Sequence, residues 1–264
     1  MEKWGDKPYH SLDYENKKRF GEKVYKISLA GGTTCPNRDG TLGTRGCCFC
    51  SGSGSGDFAA TKGSITEQIE EAIARVSRYK NAGHLFTAYF QSFTATYAPV
   101  ETLRAAWEEA MAHESVATLA IATRPDCLGD DVLSLLVDCC RKMPVTVELG
   151  LQTIHPNTIR YIRRGYPNSV YETAVKNLKN IGVNVVTHVI AGLPGETKEN
   201  FIDTVRYVAD IGSDGIKLQL LHVLKGTDLA LDYEKKMFRT LTPDEYLDYI
   251  TEALSILPPD MVIH

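Results

Sequence analysis

Phe20–Cys50, FGEKVYKISLAGGTTCPNRDGTLGTRGCCFC, runs an apolar segment straight into a cysteine-bearing loop. Val24–Leu29 reads as a buried strand. Six later runs have the same character: Leu85–Phe90, Ala117–Ala122, Val145–Leu151, Asn184–Ile190, Ile216–Leu221 and Met261–Ile263. Most are apolar almost throughout, as expected of parallel strands covered on both faces. Amphipathic segments lie between them. Ser64-Ile-Thr-Glu67 is a capping box ahead of a stripe of Ile65, Ile69, Ile73 and Val76. Ser169-Val-Tyr-Glu172 repeats the pattern, with Gly182 placed to cap that helix. Thr242-Pro243-Asp244-Glu245 opens a last helix with proline at its first position. The alternation predicts an α/β chain with one parallel sheet curled into a full or partial barrel. A flat dinucleotide fold is disfavoured, because Gly52, Gly54 and Gly56 follow cysteines in a Ser/Gly loop rather than a strand.

In such folds, chemistry sits at the carboxyl ends of the strands, where Cys35, Cys47, Cys48 and Cys50 fall. Cys47 and Cys50 have CxxC spacing, and Cys35 can return to them across glycines 40, 43 and 46. Three readings compete. A structural zinc wants four closed ligands, and the nearby fourth cysteine, Cys48, is adjacent to Cys47. A redox dithiol leaves Cys35 and the long loop unexplained. A [4Fe–4S] cluster on three thiolates leaves one iron open and uses every feature. Cys48 reads as a bystander, and Cys127, Cys139 and Cys140 as small buried apolar residues.

The 264 residues, 43% hydrophobic and 23% charged, suffice for one large domain. A net charge of −4 supplies no global field for nucleic acid. The polar start lacks a signal peptide, and no apolar run approaches the roughly 20 residues needed to span a bilayer. Seven cysteines, an odd and clustered set, make a poor disulfide framework. A cytoplasmic, reduced protein away from membranes is expected.

From about Phe20 to the last residue the chain resembles the radical S-adenosylmethionine (SAM) superfamily, specifically its Elp3-like branch of small bacterial proteins of the YhcC and YtqA type. The resemblance is carried by FGEKVYKISLAGGTTCPNRDG, YFQSFTATYAP, ATRPDCL, VELGLQTIHPNTIRYIRRGY, HVIAGLPGET and KLQLLHVLKGT, in that order. Eleven residues separate Cys35 from Cys47, against three in the superfamily's common CxxxCxxC. The resemblance implies a partial (β/α)6-type parallel barrel with an extra C-terminal strand. The chain divides into an N-terminal extension over residues 1–20 and a core over 21–264, and its stop at Met-Val-Ile-His264, on a strand-like stretch, suggests a further C-terminal segment. Cys35, Cys47 and Cys50 would hold a [4Fe–4S] cluster whose open iron chelates SAM. Reductive cleavage would give a 5′-deoxyadenosyl radical, with a low-potential flavodoxin or ferredoxin as donor.

The same resemblance sets Phe49 against the adenine. Gln91 and Ser92 stand where a Gly-Gly-Glu motif usually meets the methionine amine, so backbone carbonyls would contribute there. Glu148 and Gln152 would meet the amine or ribose, a buried glutamate being costly without a cation or donor. Arg164 would meet the carboxylate, and Gly192 in Gly192-Leu-Pro-Gly-Glu196 would lie beside the adenine. His188, Lys217, Gln219, His222 and Lys225 suggest a substrate pocket, with Lys217 and His222 as candidate catalytic groups.

The branch includes enzymes that remodel the wobble uridine of tRNA, which makes tRNA the first substrate candidate. Phosphates would then meet Lys17, Lys18, Arg19 and Lys23, or Arg160, Arg163 and Arg164. A small metabolite or peptide substrate is the second possibility, and a non-catalytic zinc or iron–sulfur scaffold the third.

Overall fold

A computed structural model of the chain describes residues 3–54, 56, 57, 59 and 63–264. In chain order the elements are α1 Leu12–Phe20, β1 Tyr25–Leu29, α2 Ile65–Tyr79, β2 Phe86–Phe90, α3 Val100–Ala112 and β3 Val116–Thr123. They continue with α4 Asp130–Cys140, β4 Val145–Gln152, α5 Pro156–Tyr161, α6 Asn168–Asn180, β5 Asn184–Ala191 and α7 Lys198–Ile211. The last are β6 Gly215–Leu220, α8 Asp228–Glu234, α9 Pro243–Ile256 and β7 Val262–Ile263. The seven strands pair in sequence order, all parallel, which makes a curled half-barrel with helices outside. All seven expected strands are present, with no end shifted by more than one residue.

The two faces of this sheet differ in chemistry. Outward positions such as Ile27, Phe86, Leu119, Val147, Val185 and Ile216 pack with the helices into the main core. Inward positions carry Lys26, Thr87, Tyr89, Thr118, Glu148, His188 and Lys217, which line cavities at the two mouths. The strands thus alternate in chemistry while staying buried on both faces, so an apolar run alone understates how polar the lumen is.

Helix starts follow the expected capping logic at two of three places. The Ser64 and Thr242 boxes form, and Pro243 occupies the first turn. At α6 the N-cap is Pro167, so Ser169 lies inside the helix and caps nothing. The reason is Asn168, whose side chain accepts from Arg164 at 2.8 Å and donates to the Ile154 carbonyl at 3.0 Å. That tie starts the helix before the serine. A further box, Thr197 with Asn200, opens α7.

The segment before β1 folds under the barrel. Ser11 bridges Ile263 in parallel, and the Ile263 amide donates to the His10 carbonyl at 2.8 Å, so the short β7 edge is covered. Gly215 permits the β6–β7 approach, since a Cβ there would stand 2.9 Å from the Val262 carbonyl. No helix among the described residues is long and apolar enough to cross a membrane.

Candidate active site

The loop after β1 turns on itself at Cys35, whose carbonyl accepts from the amides of Arg38 (2.8 Å) and Asp39 (3.1 Å). Gly46 has φ 72°, and a Cβ there would meet the Arg38 guanidinium at 2.9 Å, so the return towards Cys47 needs glycine. The Cys50 amide then donates to the Cys47 carbonyl at 3.1 Å, closing the CxxC turn. Asn37 ties this loop to the α5 end: its amide donates to the Arg163 carbonyl at 2.7 Å and lies 3.6 Å from the Cys47 sulfur.

These turns bring Cys35, Cys47 and Cys50 to one cavity of about 290 Å3, with Phe49 beside them. Cys48 points the other way, into a separate apolar group with Ile162, Ile190, Leu193, Leu221 and Leu229. Burial, and then the neighbouring Cys50, push the Cys47 thiol up to about 11. Among the described residues, no group of three Cys, His, Asp or Glu side chains is placed to hold a metal ion. Three cysteine sulfurs lining one cavity are the type of donor an iron–sulfur cluster takes.

Gln91, Thr94, Arg124, Gln152 and Tyr166 line the same cavity as the cysteines. Thr94 is 1% exposed and its buried hydroxyl has no partner, an unsatisfied group that calls for an explanation. Gln152 closes β4 at a register shift with φ 62°, a strained backbone of the kind that re-aims side chains at functional sites. Arg124 forms a two-point pair with Asp126 (2.9 and 2.7 Å) and lies 4.9 Å over the Tyr166 ring.

The floor is a charge network that crosses the lumen. Glu148, 1% exposed, pairs with Lys26 and accepts from the Tyr89 hydroxyl (2.9 Å) and His188 (2.6 Å), with the Lys217 ammonium 3.9 Å away. Burial alone would raise the Glu148 carboxyl. Lys26 first, then His188 and Lys217, outweigh it and hold the group well below the usual carboxylate range. Burial lowers both His188 and Lys217, with Glu148 partly offsetting it.

Several residues stand elsewhere than the sequence suggests. Both Glu148 oxygens are engaged from within the protein, so it braces the floor rather than offering a free carboxylate to an amine. Arg164 is 1% exposed, and its donors go to the carbonyls of Leu151, Thr153 and Tyr166 and to Asn168. It reaches the cavity edge as a brace, with no donor left for a carboxylate. Ser92 is buried beneath the cysteine loop, where a Cβ at Gly56 would run into its hydroxyl. Gly192, at φ 82°, makes a tight turn under Leu241, whose Cγ would lie 2.9 Å from a Cβ there. His222 and Lys225 are exposed beyond β6 and do not line the cavity, whereas His188, Lys217 and Gln219 do. The basic Lys17–Arg19 segment of α1 lies at the opposite mouth, where Arg19 lines the basal cavity with Thr87 and Thr118.

Lys26, Tyr89, Thr94 and Arg124 are site residues that sequence reasoning missed. Tyr89 carries a signal, being two positions before Gln91 and so on the same strand face. Replacing Arg164 by alanine should leave several buried carbonyls without donors and cost about 3 kcal/mol of unfolding free energy, read by denaturant titration. An unchanged midpoint would refute its bracing role.

Residues 19–208 match the family model described as the Radical SAM superfamily, and residues 213–264 that of the Radical_SAM C-terminal domain. The chain is 42% identical over 265 residues to the uncharacterized protein YtqA of Bacillus subtilis, covering 98% of this chain and 80% of that one. It is 37% identical over 248 residues to protein YhcC of Escherichia coli, covering 94% and 79%. A tRNA uridine(34) acetyltransferase of Methanocaldococcus jannaschii is 29% identical over 154 residues, 57% of this chain and 28% of that protein. Among solved structures, the archaeal Methanocaldococcus infernus Elp3 superposes with a TM-score of 0.67 at 18% identity, over 91% of this chain and 56% of that one. The half-barrel, the cavity at its carboxyl mouth and these matches agree: the chain belongs to the radical SAM superfamily.

Proposed function

We propose that this protein binds a [4Fe–4S] cluster through Cys35, Cys47 and Cys50, cleaves SAM reductively, and uses the resulting radical to modify the side chain of a tRNA wobble uridine. The convergence of three thiols on a cavity with an unsatisfied Thr94 hydroxyl carries the first half. The tRNA half rests on the likeness to the tRNA uridine(34) acetyltransferase. When bound, cluster and SAM supply one-electron cleavage of the sulfonium C–S bond, giving methionine and a 5′-deoxyadenosyl radical.

The chain's own residues then have separable tasks. Asn37 and the Arg163 carbonyl orient Cys47. Phe49, Gln91, Thr94 and Gln152 offer an aromatic face and polar groups to the cofactor. His188 and Lys217 reach the cavity from the floor, where Glu148 fixes His188 and Lys217 is the candidate proton-transfer group. The buried walls keep water from a reactive species. A reducing cytoplasm and a low-potential flavodoxin or ferredoxin complete the requirements.

Nucleoside analysis of total tRNA from a strain lacking the protein tests the substrate. Altered wobble uridines, restored by the wild-type gene, are expected. Unaltered wobble uridines would refute the tRNA assignment and leave a small metabolite or peptide as substrate.

A further inference from the structure

We propose that residues 224–239, the segment around α8, form the surface that holds the loop of a folded RNA while one nucleotide enters the cysteine-lined cavity. This rests on the tRNA assignment above and adds where the RNA is gripped.

Exposure is the first observation. Of the seven large hydrophobic residues left exposed among the described residues, four fall within this segment: Leu224 (39%), Leu231 (52%), Tyr233 (43%) and Met237 (65%). Such side chains concentrated in one surface segment mark a contact site rather than the usual scatter. A groove of about 640 Å3 runs beside them, lined by Tyr233, Glu234, Lys236, Phe238 and Arg239.

Charge is the second. Lys225, Lys235 and Lys236 are exposed and make no ion pair among the described residues. Of the segment's three acids, Asp228 is neutralised by Arg45 (2.7 Å) and Arg163 (2.6 Å), Asp232 accepts from the Tyr161 hydroxyl (2.7 Å) and keeps its charge, and Glu234 is exposed, so the cations Lys225, Lys235, Lys236 and Arg239 outnumber them. On α1, Lys17 pairs with Asp13, as does Lys23 just beyond the helix, while Lys18 and Arg19 make no ion pair among the described residues, so place in the fold rather than pairing separates the two basic segments. Free ammonium groups beside an exposed tyrosine and apolar side chains suit single-stranded nucleic acid, whose phosphates seek cations and whose bases seek flat or apolar faces.

Position is the third. The segment follows β6 at the same mouth as the cysteines and is tied to their loop, the Leu229 amide donating to the Cys48 carbonyl at 2.9 Å. A nucleotide drawn into the cavity would leave its neighbours over this surface, while α1 faces the opposite mouth.

The test uses the full chain with its cluster reconstituted anaerobically, and tRNA from a strain lacking the protein as probe. The triple variant Lys225→Gln, Lys235→Gln, Lys236→Gln should weaken tRNA binding at least about tenfold at roughly 0.1 M salt. It should also lower the logarithmic salt slope by about 2, at roughly 0.7 per phosphate contact. Tyr233→Ala should weaken binding at least about fivefold with the slope unchanged, as expected for loss of a stacked base. The triple variant Lys17→Gln, Lys18→Gln, Arg19→Gln should bind as wild type, and all variants should form 5′-deoxyadenosine without RNA at the wild-type rate. If the α8 triple variant bound tRNA normally, the inference would fail and the tRNA assignment would stand. Loss of cluster reduction by flavodoxin, with tRNA affinity intact, would overturn it too and give the surface to an electron donor. Wild-type protein with no affinity for tRNA would remove the assignment and this inference together.

Discussion

Serine at Cys35, Cys47 or Cys50 is expected to reduce bound iron from about four atoms per chain to a residual level after anaerobic reconstitution. Three thiolates are the minimum that holds such a cluster with one iron open, and an alcohol cannot replace any of them at neutral pH. Cys48→Ser is the internal control. Its sulfur sits in a residue 3% exposed among Ile162, Leu193 and Leu229, away from the cavity, so iron and sulfide content should be unchanged. A Cys48 variant that lost the cluster, or a Cys35 variant that kept it, would mean the loop closes differently.

Glu148→Gln should produce the largest loss of stability of any single change at the site. It leaves Lys26 and Lys217 in the lumen without their counter-charge, which at buried pairs costs about 3–5 kcal/mol. The pH dependence follows from the shifts. A carboxyl held well below its ordinary 4.5 contributes stability that is fully present above that value and lost as pH falls through the folded value. His188, lowered from 6.5 by burial, acts in the same direction, because below 6.5 the unfolded chain takes up the proton more readily. Wild-type stability should therefore decline from about pH 6.5 downward, and the Glu148→Gln chain should lack the part of the decline that begins below 4.5. Adding Lys26→Met should recover part of the loss. Denaturant titrations of the cluster-free protein between about pH 4 and 8 measure all of this, and equal midpoints for wild type and Glu148→Gln would contradict the network.

The strands were legible because their outward positions form one apolar core, and a buried parallel strand announces itself by composition. That Cys35, Cys47 and Cys50 meet at one cavity could be expected from their spacing and their place after a strand. Gln91, Gln152, His188, Lys217 and Gln219 could be found as polar residues in or beside apolar runs, which is where a lumen-facing position shows. Lys26 could not, because a lysine near a strand start looks like a solvated charge until Glu148 is placed opposite it. Arg164 shows a different limit. A guanidinium that binds a ligand carboxylate and one that satisfies backbone carbonyls use the same planar fork, and only the fold tells them apart. His222 lay outside the reach of periodicity, since strand alternation ends with β6 at Leu220. Ser169 matched a capping pattern that Asn168 pre-empted.

The central claim, that this half-barrel uses three cysteines to run radical SAM chemistry, is tested most directly by one product measurement. The reconstituted wild-type protein, reduced under anaerobic conditions and given SAM without any other substrate, should slowly form 5′-deoxyadenosine and methionine in equal amounts, and the Cys35→Ser chain should form neither. A wild-type chain that carries a full complement of iron and sulfide yet leaves SAM intact, or one that arrives with tight stoichiometric zinc and takes up no iron, would contradict the account.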